Sequence, residues 1–202
     1  MDPVNVHEYE VLARAKMVPW AWDYYAGGSD DEVTLRENRA AFERIRLRPR
    51  VLRDVSTVAT ATTVLGTPVS MPVLVAPTAL HGLAHAQGGE CETARGAGAA
   101  GTLMTVSTSA SRNLEDIAAA ATGPLWFQLY IFTWKQAENL VRRAEAAGCR
   151  AVVLTVDLPK MGNREADRRN EIELFYGPIM RSAYELEESV EAIVPVVDSL
   201  TW

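Results

Sequence analysis

No run of about 18 apolar residues occurs along the chain, so the sequence predicts no membrane-spanning helix. The opening residues, Met1-Asp2-Pro3-Val4-Asn5, lack a basic stretch followed by an apolar one, and no secretory signal is expected. The closing residues, Ser199-Leu200-Thr201-Trp202, carry no targeting tail. Cysteine is scarce. Cys91 and Cys149 stand alone, which leaves no CxxC pair, no zinc pattern and no disulfide framework. A reducing, cytoplasmic setting is expected, with no metal. An excess of positive charge is also missing. With 20 Lys+Arg against 26 Asp+Glu the formal net charge is −6, which disfavours nucleic acid and anionic membranes as partners. Internal repeats and low-complexity tracts are absent.

What remains is ordinary globular composition. Hydrophobic residues make up 48% and charged residues 23% of the 202, which argues against disorder. Residues 6–16 place Val6, Tyr9, Leu12 and Ala13 on one helical face. Residues 19–25 continue helically and stop at Gly27-Gly28, and residues 35–44 make a third helix. Residues 62–72 alternate around Gly66-Thr67 and predict a short hairpin. Apolar runs then cover 73–76, 103–106, 126–130 and 151–156. Between them lie helices over 89–100, over 114–121 with Asn113 as N-cap, and over 133–147 with Thr133 as N-cap and Gly148 as its stop. The runs start near 73, 102, 125 and 151, at intervals of 29, 23 and 26 residues, each holding one helix. This βα repetition implies parallel strands, in a doubly wound sheet or a (β/α)8 barrel. A complete barrel takes roughly 250 residues, so four units amount to half of one. Beyond Asn170 the pattern breaks. Residues 183–194 suit one more acidic helix, and no fifth strand stands out.

Several motifs call for chemistry. Gly96-Ala97-Gly98-Ala99-Ala100-Gly101 spells GxGxxG. A dinucleotide fingerprint must follow a strand and open a helix, whereas these glycines end a helix and lead into a strand. Close helix packing and a C-cap fit better. His81 and His85 are four apart, a possible metal spacing, but Gly82 intervenes and no carboxylate completes a site. Helix entry or loop hydrogen bonds are expected there, and His7 is expected at the surface. Pro77-Thr78-Ala79, Ser107, Gln128, Tyr130 and Thr155 sit at the carboxyl ends of the four runs, the face where barrel enzymes bind ligands. Their hydroxyl and amide groups can hydrogen-bond a flat heteroaromatic ring without adding charge. Arg164, just past the fourth run, suits either a two-pronged grip on a carboxylate or a salt bridge to Glu165 or Asp167.

Together these stretches resemble the FMN-dependent 2-hydroxy acid oxidase and dehydrogenase family, which includes glycolate oxidase, lactate oxidase and mandelate dehydrogenase. The resemblance is carried by Asp23-Tyr24-Tyr25-Ala26-Gly27-Gly28, Glu37-Asn38-Arg39, Ala76-Pro77-Thr78-Ala79 and Trp126-Phe127-Gln128-Leu129-Tyr130. Leu154-Thr155-Val156-Asp157 and Gly162-Asn163-Arg164-Glu165-Ala166-Asp167 with Arg169-Asn170 continue it, so that it covers about residues 3–170. It implies a (β/α)8 barrel with FMN at the carboxyl face. Residues 1–60 would be the helical cap, 61–170 the first half of the barrel, and 171–202 a loop and helix leading toward strand five. Pro77, Thr78 and Ala79 look like the backbone strip beside the flavin ring, and Ser107, Gln128 and Thr155 like its hydrogen-bonding side chains. Tyr24 and Tyr130 look like the substrate tyrosines, and Arg164 like one of the arginines that grip the substrate carboxylate. The implied reaction takes an L-2-hydroxy acid to its 2-oxo acid, with two electrons passing to flavin.

Departures from the family also carry information. Ser109 stands where glycolate oxidase has a tryptophan, and Met161 where leucine is common. Both favour a substrate bulkier than glycolate. The family's catalytic His, second Arg, flavin-contacting Lys and phosphate cradle come from later strands and have no counterpart here. Only Asp198 to Trp202 resembles the approach to strand five. The expected partner is therefore the other half of the barrel, possibly a second chain, within a homo-oligomer. The alternatives are an inactive half-barrel scaffold and an FMN barrel with other chemistry.

Overall fold

A reciprocal cap opens the first helix. The Asn5 side chain accepts the Glu8 N–H at 3.1 Å, and the Glu8 carboxylate accepts from the Asn5 amide and the Val4 N–H at 2.9 Å each. The helix it starts is α1, Val6–Lys16. Pro19 then sits in the first turn of α2, Pro19–Ala26, where its missing N–H costs nothing. A third helix, α3, spans Val33–Glu43. The structure, a computed structural model, describes residues 2–157 and 162–171. Met161, the helix expected over 183–194 and the lead-in to strand five lie outside the described residues.

The described residues fall in two compact units. The first holds residues 2–59 and 162–171. The later stretch, read from the sequence as barrel, belongs with the helices for a polar reason. Asn163 Nδ2 donates to Asp30 Oδ1 at 3.0 Å, Asp30 N–H to the Asn163 carbonyl at 3.0 Å, and Asn170 Nδ2 to Asp23 Oδ2 at 2.9 Å. Residues Glu165–Arg169 form a short helix that packs on α2.

The second unit holds residues 60–157. It opens with an antiparallel hairpin of β1, Thr62–Val64, and β2, Thr67–Val69, paired Val64 to Thr67. Leu65 and Gly66 form its two-residue turn with φ of +45° and +76°, the mirror-image turn that matches strand twist. The turn falls one residue earlier than the expected Gly66-Thr67. There follow α4 (Glu90–Ala99), β3 (Met104–Val106), α5 (Leu114–Ala120), β4 (Leu125–Leu129), α6 (Trp134–Ala146) and β5 (Val152–Leu154). The three last strands form one parallel sheet in the order β3-β4-β5, with Val106 beside Phe127 and Phe127 beside Val152.

The expected first barrel strand, 73–76, makes a single parallel bridge from Val75 to Met104. Pro72 and Pro77 bracket it. Neither has an N–H to give, and each restricts the residue before it, so the ladder stops at one bridge. Gly101 and Gly148, at φ +70° and +80°, end α4 and α6 in the left-handed conformation. In both, the next N–H reaches back into the helix, Thr102 to the Ala97 carbonyl at 3.0 Å and Cys149 to that of Ala144 at 2.9 Å. The glycine-rich string is thus a helix end. Thr133 caps α6 by accepting the Gln136 N–H at 3.2 Å. Asn113 holds the N-cap position of α5 but makes no capping bond.

All five residues of β4 are buried, as a parallel sheet covered on both faces requires. Leu125, Phe127 and Leu129 pack with Met104 and Val106 against Ala94, Ala97, Leu114, Ile117, Leu140 and Ala144 of the helices. Trp126 faces the other way, with Leu103, Val69 and Val153. Alternation along β4 therefore puts Gln128 on the face of Trp126, at the strand's carboxyl end.

Candidate functional site

In the second unit the carboxyl ends of β3, β4 and β5 are joined by one side chain. Gln128 is 2% exposed. Its Oε1 accepts the Thr108 N–H at 3.0 Å and the Ser107 hydroxyl at 3.3 Å, while its Nε2 donates to Thr155 Oγ1 at 2.8 Å. The amide thus spans three adjacent strand ends. Thr108 strengthens the join, donating its hydroxyl to the Gln128 carbonyl at 2.6 Å and accepting the Tyr130 N–H at 3.1 Å. Sequence reasoning passed over Thr108, since a threonine after a strand carries no signal of its own.

Tyr130 is half-buried beside the Phe132 ring, with centroids 5.8 Å apart. Burial, and then the negative charge of Asp157, raise its phenol above the ordinary value, so it keeps its proton at neutral pH. Pro77, Thr78 and Ala79 lead from the Val75 bridge into a loop, with Pro77 and Thr78 exposed. That loop is tied to the one after β3 by Leu80 N–H donating to the Ser109 carbonyl at 3.1 Å. Ser109 is half-buried.

Two other expected site residues, Tyr24 and Arg164, lie in the first unit. The Arg164 guanidinium rests 5.3 Å from the Tyr24 ring centroid. It pairs two-pronged with the Asp167 carboxylate and donates to the Gly27 carbonyl at 2.9 Å and to the Tyr24 carbonyl. Four of its five N–H groups are thereby engaged within the protein. Of the alternatives left open by the sequence, the Asp167 bridge is present, and Glu165 pairs with Arg169 instead.

The histidines form no metal constellation, and no group of three or more His, Cys, Asp or Glu among the described residues could hold an ion. His81 Nδ1 meets Thr93 Oγ1 at 2.9 Å, and His85 Nδ1 accepts the Gly88 N–H at 2.9 Å. Exposed His7 lies 3.0 Å from the Arg39 guanidinium. No helix among the described residues is long and apolar enough to cross a membrane.

The sequence matches the FMN-dependent dehydrogenase family over residues 13–194. The chain belongs to this family. Glycolate oxidase 1 of Zea mays is 53% identical over 167 residues, covering 82% of this chain and 45% of that protein. Glycolate oxidase of Spinacia oleracea is 48% identical over 171 residues, covering 84% and 46%. The crystal structure of a mandelate oxidase superposes with a TM-score of 0.83 at 39% identity, covering 96% of this chain and 54% of that one. A structure of (S)-mandelate dehydrogenase does so at 0.80 and 36%, covering 84% and 48%. The chain spans about half the length of the relatives it matches. The α/β class is that of a (β/α)8 barrel, represented here in part.

The family's cofactor is FMN, and the residues at the strand ends fit the ring of that molecule. The donor set of Ser107, Gln128 and Thr155 is neutral and already hydrogen-bonded into a fixed array. Gln128 Nε2 carries a second hydrogen and Thr155 its hydroxyl hydrogen, neither with an acceptor among the described residues. Such donors suit the carbonyl and ring-nitrogen acceptors of a flavin.

Proposed function

We propose that this chain supplies the helical cap and first half of the barrel of an FMN-dependent enzyme that oxidises an L-2-hydroxy acid to the 2-oxo acid. The observation that carries this reading is the Gln128 amide, buried and bonded across three parallel strand ends. A buried amide on an apolar strand is retained where its polarity is used. FMN, when bound, takes up the two electrons that leave the substrate carbon. Ser107, Gln128 and Thr155 would hold the ring, and the Pro77-Thr78-Ala79 backbone would line it. Tyr130, kept protonated, offers a phenol hydrogen to the substrate oxygen as its charge develops. Arg164, held by Asp167 over the Tyr24 ring, would serve with Tyr24 as the grip on the substrate carboxylate. Ser109, small and half-buried, favours a branched or aromatic substrate over glycolate. The base that removes the substrate's protons would come from the remaining half of the barrel, whether in a second chain or the same one. Two free thiols suit a reducing, cytoplasmic setting, and a homo-oligomer is the expected assembly.

A second reading, a half-barrel scaffold without activity, is favoured by β5. Val152 and Leu154 there, with Val156 just beyond, are 45%, 46% and 62% exposed, an apolar strip uncovered among the described residues. One experiment separates the two. Visible absorption is recorded on this chain together with the remaining half of the barrel and FMN, before and after mandelate, 2-hydroxyisocaproate or glycolate is added without oxygen. Bleaching of bound flavin, strongest with the larger acids, supports the enzyme. Flavin that binds without bleaching, or does not bind, supports the scaffold. A clear preference for glycolate would overturn the bulky-substrate reading alone.

A further inference from the structure

Glu90 is the first residue of α4, and none of it is exposed. No lysine or arginine pairs with it among the described residues. A buried carboxylate is tolerated only where donors replace water, and here the donors come from two loops. Oε1 accepts the His81 N–H and the Ser111 N–H, each at 2.9 Å, and Oε2 accepts the Ser111 hydroxyl at 2.7 Å. Ser111 Oγ in turn accepts the Gly82 N–H at 2.8 Å. Position in the first helical turn adds a favourable dipole. Within the first loop sits Leu80, fully buried and held left-handed at φ +60° and ψ +41°, a conformation that a leucine adopts only under constraint.

The two loops so clasped are the ones that carry Pro77-Thr78-Ala79 and Ser107-Ser109. A cavity wall could be built without a buried carboxylate and a left-handed leucine. The tie fixes the height of one loop against the other, and with it the spacing between the 77–79 backbone and the Ser107 and Ser109 side chains.

We propose that Glu90 is a positioning residue for the flavin site. Its carboxylate locks the 77–83 and 107–112 loops in register, and so presents the backbone strip and the Ser107 hydroxyl to one face of the ring. This rests on the flavoenzyme reading.

The test uses the full chain with Glu90→Ala, Glu90→Gln and Ser111→Ala. Amide exchange is followed without FMN, and FMN affinity and the bound flavin spectrum are measured by titration. Losing a hydrogen bond to a charged group is worth about tenfold in an equilibrium. In Glu90→Ala the Leu80, His81, Gly82 and Ser111 amides should exchange about tenfold faster or more, while β4 and α6 stay protected. FMN affinity should fall about tenfold, with a shifted flavin band. Glu90→Gln keeps an acceptor for both N–H groups and should recover most of both losses, which general destabilisation would not. Ser111→Ala should give the same pattern at lower amplitude, and serves if Glu90→Ala does not fold. Loops no looser than wild type overturn the proposal, as do loosened loops with unchanged FMN affinity and spectrum. These titrations are made with the remaining half of the barrel present, since it supplies the phosphate cradle, and a wild type that takes up no FMN even then defeats the flavoenzyme reading and this proposal with it.

Discussion

Replacing Gln128 by leucine removes the acceptor of the Thr108 N–H and of the Ser107 hydroxyl, and the donor to Thr155. The Thr108 N–H belongs to a residue with no exposure, so no water can take the amide's place. An unsatisfied buried donor costs about 1–3 kcal/mol. The Ser107 and Thr155 hydroxyls can turn to other partners, and leucine gains back part of the desolvation of the amide. A net loss of about 2 kcal/mol is expected, which lowers Tm by about 4–8 °C in a protein of this size. Urea unfolding checks it, through a lower midpoint at unchanged m. Gln128→Glu keeps the acceptor oxygen, loses the donor and buries a negative charge at a 2%-exposed position. It should cost more at pH 7 than Gln128→Leu and recover as the pH falls and the carboxyl takes a proton. Stability of Gln128→Leu within about 0.5 kcal/mol of wild type would refute the reasoning, because the amide would then not join the strand ends.

The glycine-rich end of α4 gives two substitutions of opposite sign. A Cβ at Gly96 meets nothing within 4 Å, so Gly96→Ala should stabilise by about 0.5–1 kcal/mol. A Cβ at Gly98 would lie 2.6 Å from the Gly123 backbone nitrogen, so Gly98→Ala should destabilise by about 1–3 kcal/mol, and urea midpoints of equal sign would sink the packing account. Burial, its largest influence, lowers the His81 pKa below 6.5, with the Glu90 charge opposing. The unfolded chain then binds the proton more readily, so stability from this group is complete above pH 6.5 and is lost as pH falls through the folded value. Urea midpoints at pH 7.5 and 5.5 should differ less in His81→Gln than in wild type, and equal differences would refute it.

What the sequence made legible depended on whether one local cause accounted for a residue. Thr133 and Gly148 bound α6 because a cap and a left-handed stop act within a few residues, and the helix runs between them as expected. Asn113 has the same local look, yet its side-chain oxygen is buried and makes no capping bond among the described residues. The run at 73–76 reads as a strand from its apolar residues, but prolines on both sides limit it to a bridge, a constraint outweighed in an apolar count. Gln128 was legible as a polar residue at the carboxyl end of an apolar run, and its burial across three strand ends follows from that placement. Glu90 did not stand out. An acid at the start of a helix is already explained by the dipole, so nothing local signals that its carboxylate is buried and holds two loops. Arg164 lies between these cases. Spacing allowed a clamp or an ion pair, and the fold gives it Asp167 while one N–H has no partner among the described residues. A guanidinium held on four sides by its own chain is better oriented for a fifth bond than a mobile one, since the ordering cost is met in folding. For this reason the Asp167 pair and a carboxylate-binding role are compatible readings of the same side chain.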